Sequence, residues 1–371
     1  MTQDADTSWP LNRSPERTMP SDGGAGGLSA HPMAVVDAAV LDAARRAMAP
    51  NSWRALRADL RVFAQWAGAA GHASLPASPA TVAAFLRDQA AAGRKAATLS
   101  RYASSIARAH ALANCADPTK AERVRLELKA QRRALGVRQK QARGLRFRGD
   151  VADPLAATQT AGVGVEALLA ACPPILPGLR DRALLCLAFD TGLRRSEIVA
   201  VQWGHVEKGG GGAGRLFVPR SKSDQEGAGA YAYLSARSMA ALEAWAQAAG
   251  LRDGAVFRRL HRTRARTGAD VWSVGAGLSA QSVTLIYRAM LDAAHAAGLL
   301  GDMDHAEYAR WRQSLTAHST RVGLTQDLFA AGQDLAGIMQ ALRWKSPQQP
   351  ARYAQALAVE ANAAAKVVGK L

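Results

Sequence analysis

Between Arg94 and Arg148 the chain carries fifteen lysine and arginine residues against three acids, Asp117, Glu122 and Glu127, an excess of +12. Such a segment cannot fold inward, because an unpaired buried cation is costly. The apolar residues between the charges show how it is accommodated. Leu99, Tyr102, Ile106 and Ala109 recur at helical spacing, with Arg101 and Arg108 on another face. Val124, Leu128 and Leu135 mark a second apolar stripe, opposed by Arg125, Lys129, Arg132 and Arg133. Two consecutive helices, each apolar on one side and basic on the other, predict a small bundle laid against a polyanion. A merely solvated helix face would intersperse acids among the bases. Contact with a DNA backbone explains the excess better.

The whole chain agrees with that reading. Its 371 residues predict two or three domains, its formal net charge is +17, and 49% of it is hydrophobic, enough for real cores. A pI near 10.6 points first to nucleic acid or an acidic membrane. No run of about 18 apolar residues is present, so no membrane span is expected. Residues 1–33 combine scattered prolines with Gly23-Gly24-Ala25-Gly26-Gly27 and read as a disordered tail rather than a signal peptide. The three cysteines lie in helical text, without CxxC or His/Cys clusters. A reducing cytoplasm is therefore expected, with no bound metal and no cofactor.

Residues 34–137 read as helical throughout. Trp53, Leu56, Leu60, Phe63 and Ala67 form one buried face, and Ser78-Pro79 opens the next helix toward Val82, Phe85 and Leu86. Residues 138–160 are polar and basic and read as a linker. Residues 161–371 form a second domain. It begins with an apolar helix over residues 181–200, broken at Thr191-Gly192, followed by strand-like runs at 216–218 and 231–234. Everything after Ser235 returns to helical patterning. The fold class is thus mainly α with one small β-sheet.

Several residues in this second domain invite a chemical reading. Arg194 and Glu197 share a helical face at i and i+3 and emerge beside an apolar helix. A lone pair at that spacing is most often a surface salt bridge, but a phosphate ligand would account for a cation so close to a core. Lys222 follows the strand at 216–218; as a hairpin-tip lysine it is ordinarily solvated, yet well placed to reach a leaving oxygen. His318 and Arg321, in His318-Ser-Thr-Arg321, face the same way. Trp344 offers a single indole N–H donor. Tyr353 lies outside any apolar stripe. Clustered carboxylates for a metal nuclease are missing, as is the GxxxxGK[ST] of a P-loop enzyme. What remains is phosphoryl transfer by a protein nucleophile with cationic stabilisation.

Arg194, Glu197, Lys222, His318, Arg321, Trp344 and Tyr353, in this order, resemble the tyrosine recombinases of the phage integrase family from about residue 34 to the C-terminus. The resemblance implies a two-domain C-shaped clamp on double-stranded DNA with inverted-repeat sites. Tyr353 would be the nucleophile, Arg194, Arg321 and Trp344 the phosphate ligands, Lys222 the acid for the leaving oxygen and His318 a candidate base. It also implies a homotetramer in which the terminal helix, residues 360–371, docks on a neighbouring protomer. Most members carry histidine where this chain has Trp344. Glycine usually precedes that position, where this chain has Arg343, a departure that bears on the local backbone. Gln281 occupies a base-reading position, and glutamine prefers adenine. Three rivals stand beside this reading: a type IB topoisomerase, a non-catalytic DNA-binding relative, and a basic protein of membrane surfaces.

Overall fold

The computed structural model describes residues 36–136, 141–147, 163–221, 224 and 227–354. The chain forms two compact units, the described residues before 137 in one and those from 141 onward in the other.

The first unit is helical: α1 (Ala38–Ala47), α2 (Pro50–Ala69), α3 (Pro79–Ala91), α4 (Ala96–Leu112) and α5 (Glu122–Leu135). The Ser78 hydroxyl accepts the Thr81 N–H at the start of α3, one of the four amides a helix cannot satisfy internally. The periodic apolar residues meet as expected: Phe63, Val82, Phe85, Leu86, Leu99, Tyr102, Ile106 and Val124 form one buried cluster. Asp117-Pro118 opens a 3-10 turn, and α5 begins at Glu122. One detail departs from the sequence reading. Leu135 is exposed rather than internal, because α5 packs against α3 and α4 mainly through Val124 and Leu128.

The second unit runs α6 (Val165–Ala170), α7 (Leu176–Thr191), α8 (Arg195–Val199), β1 (Val206–Lys208), β2 (Gly214–Val218), β3 (Ala230–Leu234), α9 (Ala236–Ala249), β4 (Arg258–Arg264), β5 (Asp270–Gly277), α10 (Ala280–Ala296), α11 (His305–Ser314), α12 (Ser319–Ala330), α13 (Leu335–Ala341) and α14 (Gln348–Ala354). Strands β1, β2 and β3 make an antiparallel sheet in which Leu216 faces Ala232 and Phe217 faces Tyr231. Helix α7 is buried on nearly every side, from Ala183 to Phe189. That explains its lack of a polar stripe.

The expectation of one small sheet needs correction. Strands β4 and β5 pair as a second, antiparallel two-stranded sheet, Leu260 opposite Val274 and Arg262 opposite Trp272. This arginine-rich ribbon buries little on either face, so it lacks the apolar alternation that announces a strand. Backbone pairing and cross-strand pairs such as Arg262–Asp270, at 2.5 Å, hold it.

Among the described residues no helix is long and apolar enough to cross a membrane.

Candidate active site

Two helix ends converge on the site. Helix α7 stops at Gly192, whose φ of +56° is left-handed. A Cβ there would also lie 2.4 Å from Leu342 Cδ2, so the turn needs glycine on both counts. The reversal delivers Arg194 to the start of α8. There the Glu197 carboxylate accepts the Arg194 backbone N–H at 2.9 Å and its Nη1–H at 2.8 Å. Glu197 is buried while Arg194 keeps a quarter of its side chain exposed. One guanidinium edge is thus held and the other left open.

Helix α12 starts immediately after His318 and carries Arg321 one turn in. It passes so close to the 141–147 segment that a Cβ on Gly323 would fall 1.9 Å from the Leu145 carbonyl oxygen. Arg321 is only 1% exposed. Its Nη1–H donates to Gly192 O at 2.5 Å and its Nη2–H to Leu342 O at 2.7 Å, tying the α7–α8 turn to the end of α13. The guanidinium carbon lies 4.3 Å from the centre of the Trp344 ring. Burial, then the neighbouring Arg194 and Arg343, push the Arg321 guanidinium down to about 9. An incoming anion would relieve that repulsion.

Tyr353, on α14, points its hydroxyl at His318 Nε2 across 2.5 Å. The Trp344 ring meets the Tyr353 ring edge-on at 5.5 Å. Burial lowers the His318 imidazole to about 4, with Arg321 and Arg194 adding to the effect, so it is neutral at pH 7. Burial raises the Tyr353 phenol above its usual 10, although Arg321, Arg194 and Arg352 all pull the other way. The phenol therefore needs a base to react near neutrality. Two donors, Arg321 Nε and the Trp344 indole nitrogen, are buried without a partner among the described residues. Other buried polar atoms share that state, among them the Trp203 and Trp311 indole nitrogens, but these two lie beside the Tyr353 hydroxyl, where an incoming anion would accept from them.

The structure thus brings Arg194, Glu197, His318, Arg321, Trp344 and Tyr353 together. Lys222 lies outside the described residues. Its neighbours Ser221 and Asp224 line a cleft of roughly 350 Å³ that also includes Arg343, Trp344 and Lys345. The Arg343 backbone takes a φ of +54°, the left-handed turn for which glycine is suited.

The residues expected to touch DNA lie elsewhere. Arg108, Arg125, Lys129, Arg132 and Arg133 are exposed on α4 and α5. Arg125 pairs with Glu122 at 3.2 Å and Arg132 donates to the Ser100 hydroxyl at 3.1 Å. Arg101 has a second task. It grips the buried Asp59 through two hydrogen bonds, of 3.0 and 2.8 Å, and Ser105 completes the carboxylate's shell. Gln281 is exposed in the first turn of α10. Sequence reasoning missed Asp59 and the burial of Arg343. Only the unusual residue before Trp344 hinted at the latter.

A tyrosine hydroxyl on a neutral histidine, beside two buried arginines and a third that is part exposed, makes a cationic cluster suited to an anion such as a phosphate. Residues 161–359 match the family described as phage integrase, and residues 43–114 match the phage integrase N-terminal SAM-like domain. The chain belongs to the phage integrase family and is, by class, a tyrosine site-specific recombinase. It is 28% identical to an integrase/recombinase XerD homolog of Selenomonas ruminantium, over 83% of this chain and 82% of that one. It is 25% identical to the recombinase Cre of Escherichia phage P1, over 87% and 89%. Among solved structures, a post-cleavage complex of the XerH site-specific recombinase with a palindromic difH substrate shares the fold, at a TM-score of 0.51 and 15% identity, covering 87% of this chain and 82% of that one.

Proposed function

We propose that the chain cuts and rejoins double-stranded DNA at inverted-repeat sites through a 3′-phosphotyrosine. The 2.5 Å contact between the Tyr353 hydroxyl and a neutral His318 carries the reading. Tyr353 Oη attacks the scissile phosphorus as its proton passes to His318. The bond from phosphorus to the 5′-oxygen breaks, and Lys222 supplies the proton that the leaving oxygen takes. Arg194, Arg321 and the Trp344 indole N–H hold the non-bridging oxygens, on which charge builds. Glu197 keeps Arg194 oriented. Each such preorganised donor is worth roughly 10²–10³ in rate. The covalent ester conserves the bond energy, so rejoining by the reverse steps needs no nucleotide cofactor.

The helical unit supplies the sequence-independent grip through Arg108, Arg125, Lys129, Arg132 and Arg133, with Arg101 shared between DNA and Asp59. Gln281 reads a base from the exposed start of α10. Exchange between two sites takes four protomers. The segment 360–371, proposed to link them, lies outside the described residues.

The test uses duplexes selected by the protein from a randomised pool and then nicked beside the scissile phosphate, so that the short fragment diffuses away and the adduct accumulates. The wild type should yield a denaturation-resistant protein–DNA adduct, and Tyr353→Phe should bind equally well and yield none. An adduct formed by Tyr353→Phe would remove Tyr353 from the role.

A further inference from the structure

Arg343 lies at the centre of the site without belonging to the set just described. It follows α13 in a left-handed conformation, φ +54°, that strains any residue with a Cβ. Its side chain turns inward. Nη2–H donates to Thr191 O at 3.0 Å, so Arg343 and Arg321 together cap the last carbonyls of α7, just before the turn that presents Arg194. Its Nη1 is buried and has no partner among the described residues. Burial pushes the guanidinium down, and it senses both Glu197 and Arg194. Arg321 in turn senses Arg343.

The local charge count is informative. Arg194, Arg321 and Arg343 face the single carboxylate of Glu197. Within this cluster the excess is two positive charges; without Arg343 it is one. A phosphodiester carries one negative charge at rest. Its two non-bridging oxygens approach two negative charges as the phenol attacks and its proton passes to His318. A cluster with an excess of one fits the bound substrate, whereas an excess of two fits the transition state, and only the latter difference accelerates a reaction.

We infer that Arg343 is a positioning residue and third guanidinium of the phosphate site, locking the Trp344 turn to the Arg194 turn and matching the charge gained in the transition state. The inference rests on the recombinase reading above. It assigns Arg343 no direct contact with DNA.

The test compares two forms of the nicked duplex, one with an ordinary scissile phosphodiester and one with a neutral methylphosphonate there, in single-turnover cleavage. Arg343→Gln keeps a donor and removes the charge, and Arg343→Lys keeps the charge and loses the fork. On the phosphodiester, Arg343→Gln should slow cleavage roughly 10²-fold with DNA binding unchanged, and Arg343→Lys should recover most of that loss. On the methylphosphonate, whose transition state reaches one negative charge where that of the phosphodiester approaches two, the gap between Arg343→Gln and wild type should largely close. A merely structural role would leave the same deficit on both substrates, and that result, or a wild-type rate for Arg343→Gln, would overturn the inference. Should Arg343→Gln fail to fold, Arg343→Gly suits the left-handed backbone and carries the same comparison. A wild type that forms no adduct on the phosphodiester sinks the recombinase reading itself. A wild type that does, beside an undiminished Arg343→Gln, sinks only the role given to Arg343.

Discussion

Arg321→Lys separates the two tasks assigned to this side chain. The guanidinium is 1% exposed and spans two carbonyls, Gly192 O and Leu342 O, with two of its nitrogens. A lysine keeps the charge but brings a single nitrogen, which cannot bridge both acceptors. One charge-assisted hydrogen bond is lost and one carbonyl is left buried without a donor, for a combined cost of about 2–4 kcal/mol. In a unit of this size that lowers Tm by roughly 4–15 °C, with folding retained at 25 °C. Chemistry should suffer more than folding. The Nε–H, unpartnered in the free protein, has no counterpart in lysine, so single-turnover cleavage should fall about 10²–10³-fold. Thermal unfolding, adduct formation on the nicked duplex and DNA binding are measured on the same preparation well below its Tm. Normal cleavage with a lowered Tm would show that Arg321 is only a structural clamp. An unchanged Tm would mean that its two carbonyl contacts do not hold the turns together.

Because the His318 imidazole sits at about 4, cleavage should stay flat from pH 7 to about 5, with its acid limb well below the ordinary 6.5. The unfolded chain takes up the His318 proton more readily than the folded one. That contribution to stability is therefore present above about 6.5 and lost as pH falls toward 4, and Tm against pH for wild type and His318→Gln should converge across that window. Gly323→Ala places a methyl 1.9 Å from the Leu145 carbonyl oxygen, so α12 must shift; Tm should drop by at least about 1–3 kcal/mol equivalent and cleavage with it, and a wild-type melting curve would contradict that packing. Lys129→Ala should weaken binding to every sequence and flatten its salt dependence without touching Tm, whereas Arg101→Ala should also lower Tm by leaving Asp59 with Ser105 alone. Gln281→Arg should change base preference at one position per half-site, and an unchanged preference would remove α10 from base reading.

Short-range periodicity was enough to reveal most of the helical framework, and the ordered set of residues, with the family resemblance it carries, picked out the catalytic candidates. The apolar steps from Trp53 to Ala67 and from Leu99 to Ala109 are local properties, because a helix brings every third and fourth residue to one face. The arginines, histidine and tyrosine stood out because few side chains hold a phosphate or attack it. The tertiary structure decided what depends on distant partners. Arg101 reads as one more basic-face residue until Asp59, 42 positions away, is found gripping it. The β4–β5 ribbon escaped notice because its stability lies in backbone pairing rather than in an apolar pattern. Gly323 is unremarkable until α12 is laid against Leu145, and Arg343 until the end of α13 is turned into the carbonyls of α7. Burial, charge balance and the shift of a proton affinity arise only when segments far apart in the chain share one small volume of low dielectric. That is why Arg343 could be named as a departure at the sequence level and given a role only in three dimensions.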